Sequence, residues 1–238
     1  IELTADFYLQ LENFSPAQVF ENRIEASLAG SAPAEGLGKL AALAQPFLDA
    51  VAEPTATPGG GSVAALAGAL GASLGQMVAG LSRKKKSQAA YVDQLSDALA
   101  EFQTGSRALA EAIDRDAASF SRVMAAYKLP KDTSELERQR DAAIQQALHG
   151  AASVPLEVAR QAAEVFDRLG QLEAISSPSM YSDIRVGRLL AAAAVRGALE
   201  NVVINLESIT DSAFASRLRA ESAALAARVS ETPVSAGR

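Results

Sequence analysis

Apolar residues recur along most of this chain at the three- and four-residue spacing of amphipathic helices, and no alternating apolar–polar strand pattern persists. Short stretches rich in proline, glycine and serine separate the helical segments. The pattern predicts an all-α protein, a bundle of about seven to eight helices. The predicted helices begin near Ser15, Leu37, Ser62, Gln88, Ser134, Ser182 and Thr210.

Polar residues and prolines predict where several of these helices begin or break. Ser134 and Glu137 have the spacing of a capping box, and Ser62 and Ser182 are expected as N-caps. Pro155 lies inside a helical segment and lacks the amide hydrogen that a helix uses. We therefore expect a kink or an interruption at Pro155.

Composition also divides the chain into three regions. A helical segment and a small-residue linker occupy residues 1–35, the main helical domain is expected over 36–230, and the tail 231–238 is expected to be disordered. The first residue is Ile1 rather than methionine, which fits a processed or excised part of a longer protein.

Amino-acid usage and charge narrow the class of function. Alanine supplies much of the 49% hydrophobic content, which favours closely packed helices. The net charge of −6 argues against general nucleic-acid binding. Without cysteine there is no disulfide or thiolate site, and the single His149 cannot form a multi-histidine metal centre. We expect a cytoplasmic protein with no metal and no tightly bound cofactor, in which His149 is structural or lies at the surface.

The stretch TPGGGSVAALAGALGASLGQMVAGLSRKKK, residues 57–86, combines three glycines, an apolar helix and four cations. It lacks the lysine and hydroxyl residue that follow the glycines of a phosphate-binding loop, and no strand precedes it. Its helix is mostly alanine and glycine, which disfavours a membrane span and favours a fully buried helix approached closely by a neighbouring helix or a partner subunit. The glycines either form a plain turn or offer backbone amides to a ligand.

Two aspartates, Asp114 and Asp116, diverge on a helix and cannot act as a carboxylate pair. Asp116 lies three residues after Ile113 and four before Phe120, on an apolar stripe, whereas Asp114 lies on a more polar side. Burial on that stripe would raise the pKa of Asp116 and suit it to proton transfer. The alternative is a carboxylate at the exposed edge of the stripe or in an ion pair.

A second group of polar residues interrupts the apolar run near residue 200. Gly197, Asn201 and Asn205 lie on one helical face at spacings of four. Buried amides are hydrogen-bonded. The two asparagines therefore either bind a ligand rich in donors and acceptors or join neighbouring helices.

Five blocks of the sequence, in order, resemble the formimidoyltetrahydrofolate cyclodeaminase family. They are TPGGGSVAALAGALGASLGQMVAGLS, IDRDAASF, YKLPKDT, ASVPLEVA and SDIRVGRLLAAAAVRGALENVVINLESITD, within about residues 38–225. The family includes the C-terminal half of bifunctional formiminotransferase-cyclodeaminases and single-domain methenyltetrahydrofolate cyclohydrolases. The opening TADFYLQLENFSPAQVFENRIEAS resembles the closing segment of a formiminotransferase domain, most of which is absent.

The resemblance implies an all-helical, dimer-forming enzyme that acts on a tetrahydrofolate derivative. Its reaction closes 5-formimidoyltetrahydrofolate to 5,10-methenyltetrahydrofolate with release of ammonia, and one acid/base group can serve both proton transfers. Hydrolysis of methenyltetrahydrofolate is an alternative that the sequence does not separate from this one. A second alternative is a non-enzymatic helical oligomerisation domain that supports a formiminotransferase.

The resemblance also implies roles for individual residues. By motif position the catalytic aspartate corresponds to Asp116, while Asn201 and Asn205 would hold the polar edge of the pterin. Arg83 and Lys84, in the basic run 83–86, would attract the glutamate tail, although such a run is more often a solvated helix end. Asp183 is a further polar candidate, or compensates the dipole of its helix. The pocket would be lined, through backbone contacts, by Gly59, Gly60, Gly61 and Ser62.

The partners implied are a folate substrate, with or without a polyglutamate tail, and further copies of the chain in a homodimer or higher homo-oligomer. A formiminotransferase domain or protein is an additional implied partner. Neither a nucleic acid nor a membrane is expected as a partner.

Overall fold

The computed structural model describes residues 40–230, which contain six α-helices and no strand. The predicted all-α class is confirmed over this range. The N-terminal segment 1–35, with the helix predicted near Ser15, and the tail 231–238 lie outside the described residues. The helices are α1 (Leu40–Ala52), α2 (Gly60–Ser82), α3 (Val92–Tyr127), α4 (Ser134–Ile175), α5 (Tyr181–Leu206) and α6 (Ser212–Arg228), with short 3-10 segments at Lys86–Tyr91 and Pro178–Met180.

Helix α1 belongs to one compact unit, which ends at Glu53, and helices α2 to α6 belong to a second unit, which begins at Pro54. In the second unit, α2 to α5 form an up-down-up-down bundle. Helix α5 closes the bundle by packing against both α2 and α4, and α6 packs against α4 and α5. All the candidate site residues lie in this second unit.

The core of the bundle joins many alanines to a smaller set of large apolar side chains. Helices α2 and α5 approach so closely that a Cβ atom on Gly71 would lie 2.8 Å from the carbonyl oxygen of Gly187. Even alanine at position 71 would push the two backbones apart, so this contact requires glycine. The largest fully buried side chains include Phe102, Leu95, Leu109, Leu156, Leu169, Leu172 and Ile184.

Within a single chain, helix α2 is buried along one face only, so the neighbouring helices do not by themselves provide the full burial that was predicted. Its outer face carries exposed apolar side chains at Val63, Leu70, Met77 and Leu81. By length and composition alone, α2 and the segment Pro178–Leu206 could each cross a membrane, but 50% and 44% of their most apolar windows are buried inside the protein. Helix packing therefore accounts for the apolar character of the inner face of α2.

The N-caps of α4 and α5 differ from the predicted ones. The cap of α4 is Thr133, whose Oγ1 accepts a hydrogen bond from the amide of Leu136 at 3.2 Å, and Ser134 is the first helical residue. Helix α5 begins at Tyr181, directly after a 3-10 turn, so Ser182 lies within its first turn. At α4 the preceding residue, Thr133, already supplies the cap, whereas the N-cap of α5 is Met180, which makes no side-chain hydrogen bond.

Helix α4 continues through Pro155, so the interruption that was one of the two predicted outcomes does not occur. Proline cannot donate to the carbonyl group four residues earlier, which here belongs to Ala151. That carbonyl oxygen accepts instead a hydrogen bond from Nδ2 of Asn205 at 3.1 Å. Helix α5 therefore supplies the donor that Pro155 lacks.

Candidate functional site

The candidate site lies at the N-terminal end of α2, where α3 and α5 come close to the helix. Helix α2 begins at Gly60, and Gly59 at its N-cap offers no side-chain hydrogen bond. The first amides of a helix have no acceptor within the helix. Ser62, predicted as the N-cap, lies inside the first turn and is fully buried. The end of α2 therefore presents backbone amides rather than a capping side chain.

Asp116 of α3 faces this bare turn. The hydroxyl group of Ser62 donates a hydrogen bond to Oδ2 of Asp116 at 3.0 Å, and the backbone amide of Ser62 also bonds to this carboxyl group. A Cβ atom on Gly61 would lie only 2.2 Å from Oδ1 of Asp116, so the carboxyl group packs directly on the glycine backbone. A negatively charged group is favoured at a helix N-terminus. Helix α3 thus supplies the polar cap that α2 does not have of its own.

Burial raises the pKa of the half-buried Asp116 carboxyl above its ordinary value, and the hydrogen bonds from Ser62 act in the opposite direction. Asp114 is exposed, so the structure places the two aspartates on different sides of α3 as the helical pattern predicts. The apolar stripe beyond Asp116 is less buried than expected, since Phe120 and Met124 are 40% and 41% exposed. Asp116 therefore combines a raised proton affinity with a position beside an exposed apolar surface.

Asn201 of α5 lies next to the glycines. A Cβ atom on Gly60 would be 3.5 Å from Nδ2 of Asn201, and that nitrogen donates to the carbonyl oxygen of Gly197 at 2.8 Å. Asn205 uses its amide nitrogen within the protein, donating to Ala151 at 3.1 Å and to the backbone oxygen of Asn201 at 2.7 Å. Asn201 is thus placed beside the N-terminal turn of α2, whereas Asn205 joins α5 to α4.

The structure does not bring the remaining predicted residues to this turn. Arg83 and Lys84 follow the last residue of α2 and lie about 35 Å from Gly60 along the helix axis. Asp183 lies in the first turn of α5, about 27 Å before Asn201 along that helix. These three residues belong to the opposite end of the bundle from Asp116.

That opposite end contains an arrangement which the sequence did not predict. Nζ of Lys85 donates to the hydroxyl groups of Ser177 and Ser179 at 2.8 and 2.9 Å. Arg83 and Lys84 line a groove of about 520 Å³ between α2 and α3. A larger cavity, of about 730 Å³, lies between α3 and α4 and includes none of the predicted site residues. His149 stacks on Phe214 with ring centroids 4.1 Å apart, as expected for a structural histidine.

Comparison with known protein families gives a match over most of this chain. The sequence profile of the formiminotransferase-cyclodeaminase family matches residues 43–224. The chain belongs to this family. The resemblance seen in the five sequence blocks is thereby confirmed.

Individual family members show how far the similarity extends. The chain is 33% identical over 211 residues to the formimidoyltransferase-cyclodeaminase of Rattus norvegicus. The aligned region covers 89% of this chain and 39% of the rat protein. It is 38% identical over 193 residues to the methenyltetrahydrofolate cyclohydrolase of Methylorubrum extorquens, covering 78% of this chain and 93% of that protein. The crystal structure of formiminotetrahydrofolate cyclodeaminase from Thermotoga maritima is similar to this fold with a TM-score of 0.70 at 30% identity, covering 78% of this chain and 88% of that one. The chain therefore spans well under half of the rat relative.

Proposed function

We propose that this protein is a folate one-carbon enzyme that closes 5-formimidoyltetrahydrofolate to 5,10-methenyltetrahydrofolate with release of ammonia. The observation that carries the proposal is the half-buried Asp116, whose raised pKa suits an acid/base group, at the bare N-terminal turn of α2. Membership of the formiminotransferase-cyclodeaminase family supports the same chemistry.

In the proposed reaction, Asp116 moves a proton twice. N10 of the folate attacks the carbon of the protonated formimidoyl group, N5–CH=NH2+, and ionised Asp116 accepts the proton that N10 loses. Protonated Asp116 then donates this proton to the resulting amino group. The bond between carbon and that nitrogen breaks, ammonia leaves, and the lone pair of N5 completes the methenyl cation. A carboxyl group whose pKa lies above its ordinary value is suited to both transfers.

The surroundings of Asp116 offer contacts for the rest of the substrate. We assign the polar edge of the pterin to the backbone amides of Gly60 and Gly61 and to the side chain of Asn201, which lie on two neighbouring helices. Phe120 lies one helical turn beyond Asp116, and its exposed ring can pack on the flat bicyclic system. Asn205 acts through Asn201 and α4 rather than by donating to the ligand.

The test is turnover of enzymatically prepared 5-formimidoyltetrahydrofolate, followed through methenyl absorbance and ammonia release. Wild-type protein should produce both signals, and Asp116→Asn should reduce kcat by at least ~100-fold, the low end for general acid/base catalysis. The asparagine side chain retains an oxygen that can accept from Ser62, so this variant removes proton transfer while keeping the cap of α2. Near-normal turnover in Asp116→Asn would remove Asp116 from the mechanism.

Methenyltetrahydrofolate cyclohydrolysis is the second candidate activity. This activity is favoured by the similarity to the Methylorubrum extorquens cyclohydrolase, since the aligned region covers 93% of that protein. Hydrolysis of methenyltetrahydrofolate without ammonia release from the formimidoyl substrate would establish this activity instead. If neither substrate reacts, a helical oligomerisation domain that supports a formiminotransferase becomes the better description.

We also propose a cytoplasmic homodimer in which the outer face of α2 meets a second copy. Val63, Leu70, Met77 and Leu81 give this helix an exposed apolar stripe, whose burial between two chains would be favourable. Light scattering on the purified protein should report twice the 24.7 kDa mass of one chain. Leu70→Glu should shift the protein toward one-chain mass, and a monomeric wild-type protein would contradict the proposal.

A further inference from the structure

The hydroxyl group of Ser62 has two acceptors within reach on α3. Its Oγ lies 3.0 Å from Oδ2 of Asp116 and 3.2 Å from the carbonyl oxygen of Ile113. The side chain is fully buried, so water does not compete for the hydroxyl group. A serine hydroxyl carries one hydrogen, which it donates to one acceptor at a time.

We propose that Ser62 is a positioning residue whose hydroxyl hydrogen moves between Asp116 and Ile113 as Asp116 loses and gains a proton. An ionised carboxylate is the stronger acceptor and holds the hydrogen at Oδ2. When the carboxyl group becomes neutral, the hydrogen turns to the carbonyl oxygen of Ile113. Oγ can then accept a hydrogen bond from the protonated acid. The inference rests on the acid/base role proposed for Asp116.

This arrangement keeps the hydroxyl group hydrogen-bonded in both protonation states. A buried hydroxyl group with no acceptor is costly, and a site with Asp116 alone as acceptor would strongly resist protonation of that residue. The carbonyl oxygen of Ile113 provides the alternative acceptor. Ser62 itself forms and breaks no covalent bond, since only its hydroxyl torsion changes.

The electrostatic surroundings leave Ser62 as the main polar influence on Asp116. Burial raises the pKa of Asp116 and the two hydrogen bonds from Ser62 lower it. No charged side chain among the described residues contributes to this shift. Helix α2 contains no charged residue between Gly60 and Ser82. Along α3, the charged residues next to Asp116 in the sequence are Glu111, Asp114, Arg115 and Arg122, and the neighbouring helices also carry Arg140 and His149 on α4 and Arg196 and Glu200 on α5.

The proposal is tested by comparing Ser62→Ala with a matched control, Ser119→Ala. Ser119 is buried like Ser62, but it lies on α3, three residues after Asp116. Its hydroxyl group donates to the backbone oxygen of Asp116 at 2.7 Å rather than to the carboxyl group. Two measurements are made on both variants: the pH dependence of kcat/KM, and a 13C NMR titration of aspartate-labelled protein in which Asp116→Asn identifies the signal of Asp116.

Ser62→Ala should move the titration midpoint of Asp116 to higher pH, because the bond that favours the ionised form is lost. On the acid side of the profile, kcat/KM should fall about tenfold, as expected for one hydrogen bond to a charged group. Ser119→Ala should leave the midpoint in place. Ser62→Thr, which restores a hydroxyl group, should return the midpoint toward the wild-type value.

Equal profiles for Ser62→Ala and Ser119→Ala, or an unmoved NMR midpoint in Ser62→Ala, would overturn the inference. If Ser62→Ala does not fold, Ser62→Cys preserves the volume with a weaker donor and should give a smaller shift in the same direction. The NMR readout also separates this inference from the proposed reaction. A moved midpoint without turnover by wild-type protein removes the reaction alone, whereas turnover with an unmoved midpoint removes only the role of Ser62.

Discussion

Gly61 and Asp116 are in direct contact across two helices, since a Cβ atom on Gly61 would lie 2.2 Å from Oδ1 of Asp116 and 2.6 Å from its Cγ. Position 61 is α-helical, a conformation that residues with side chains adopt readily. Steric contact with the carboxyl group, rather than backbone freedom, therefore explains the glycine. The bare first turn of α2 is what allows Asp116 to approach its amides.

Gly61→Ala should disable the site while leaving the bundle folded. The added methyl group forces the carboxyl group of Asp116 away from Ser62, and a misplacement of about 1 Å can cost about 100-fold in rate. Steady-state turnover with the formimidoyl substrate measures the loss, and far-ultraviolet circular dichroism checks the fold.

Gly150→Ala is the matched control for that substitution. Gly150 also lies inside a helix, but a Cβ atom there would meet nothing within 4 Å. Activity should be unchanged and the free energy of unfolding should rise by about 0.5–1 kcal/mol, because alanine favours the helix over glycine. Full activity in Gly61→Ala would show that Asp116 tolerates displacement and does not need its contact with α2.

Asn205 should contribute to stability through Pro155. Asn205→Ala leaves the buried carbonyl group of Ala151 without a donor, which should lower the free energy of unfolding by about 1–3 kcal/mol. Pro155→Ala restores an amide donor to that carbonyl group, so the cost of Asn205→Ala should be smaller in the Pro155→Ala background. Urea unfolding of the four proteins in this double-mutant cycle measures the coupling.

Asn201→Ala in the same two backgrounds provides the control for that cycle. Its side chain donates to Gly197 within α5, which does not depend on Pro155. The cost of Asn201→Ala should therefore be equal in both backgrounds. If Asn205→Ala is also equally costly in both, the hydrogen bond to Ala151 does not compensate for the proline.

Most of the bundle could be predicted from the sequence because helical periodicity reports which face each helix buries. Two of the errors occur where a contact between helices replaces a local signal. The sequence near Gly59 contains no sign that Asp116, in another helix, caps α2. In the same way, Pro155 predicts a break because no local pattern shows that Asn205 of another helix lies opposite Ala151.

The candidate site, like the fold, was predictable from the sequence only where a single helix determines it. Helical faces separate Asp116 from Asp114, but the hydroxyl contact of Ser62 depends on the register between α2 and α3, which no local pattern contains. The distance of Arg83 from the glycines could have been estimated, since a continuous helix separates its ends by about 1.5 Å per residue. Lengths along one helix are thus open to sequence reasoning, while contacts between helices are not.

Asp116 should make stability depend on pH in a specific direction. Burial gives the folded protein a higher Asp116 pKa than the ordinary value of 3.8, so the folded state holds this proton more tightly than the unfolded state. The resulting stability is fully present below the ordinary pKa and is lost as pH rises through the raised one. As pH rises from the ordinary to the raised pKa of Asp116, the free energy of unfolding of the wild type should therefore fall relative to that of Asp116→Asn. Above the raised pKa, the difference in free energy of unfolding between the two proteins should be constant.

Urea unfolding of both proteins at a series of pH values measures this difference. Asp114→Asn removes an exposed carboxylate from the same helix and serves as the control for a change in net charge. A difference between wild type and Asp116→Asn that stays constant across the acid range would mean that folding does not change the proton affinity of Asp116.

Arg83 and Lys84 should affect only substrates with long glutamate tails. They lie about 35 Å from Gly60 along α2, too far for the single glutamate of a folate bound at Asp116. Neutralising both, as Arg83→Gln with Lys84→Gln, should leave the KM of the monoglutamate substrate unchanged. It should raise the KM of a polyglutamate substrate by about two- to fivefold, the range of an exposed ion pair, through loss of contact between the tail and the groove that these two residues line. Lys131→Gln with Arg219→Gln removes the same charge from exposed positions elsewhere and should alter neither KM. Equal changes for short and long tails would show that the basic run acts through general charge and not by binding the tail.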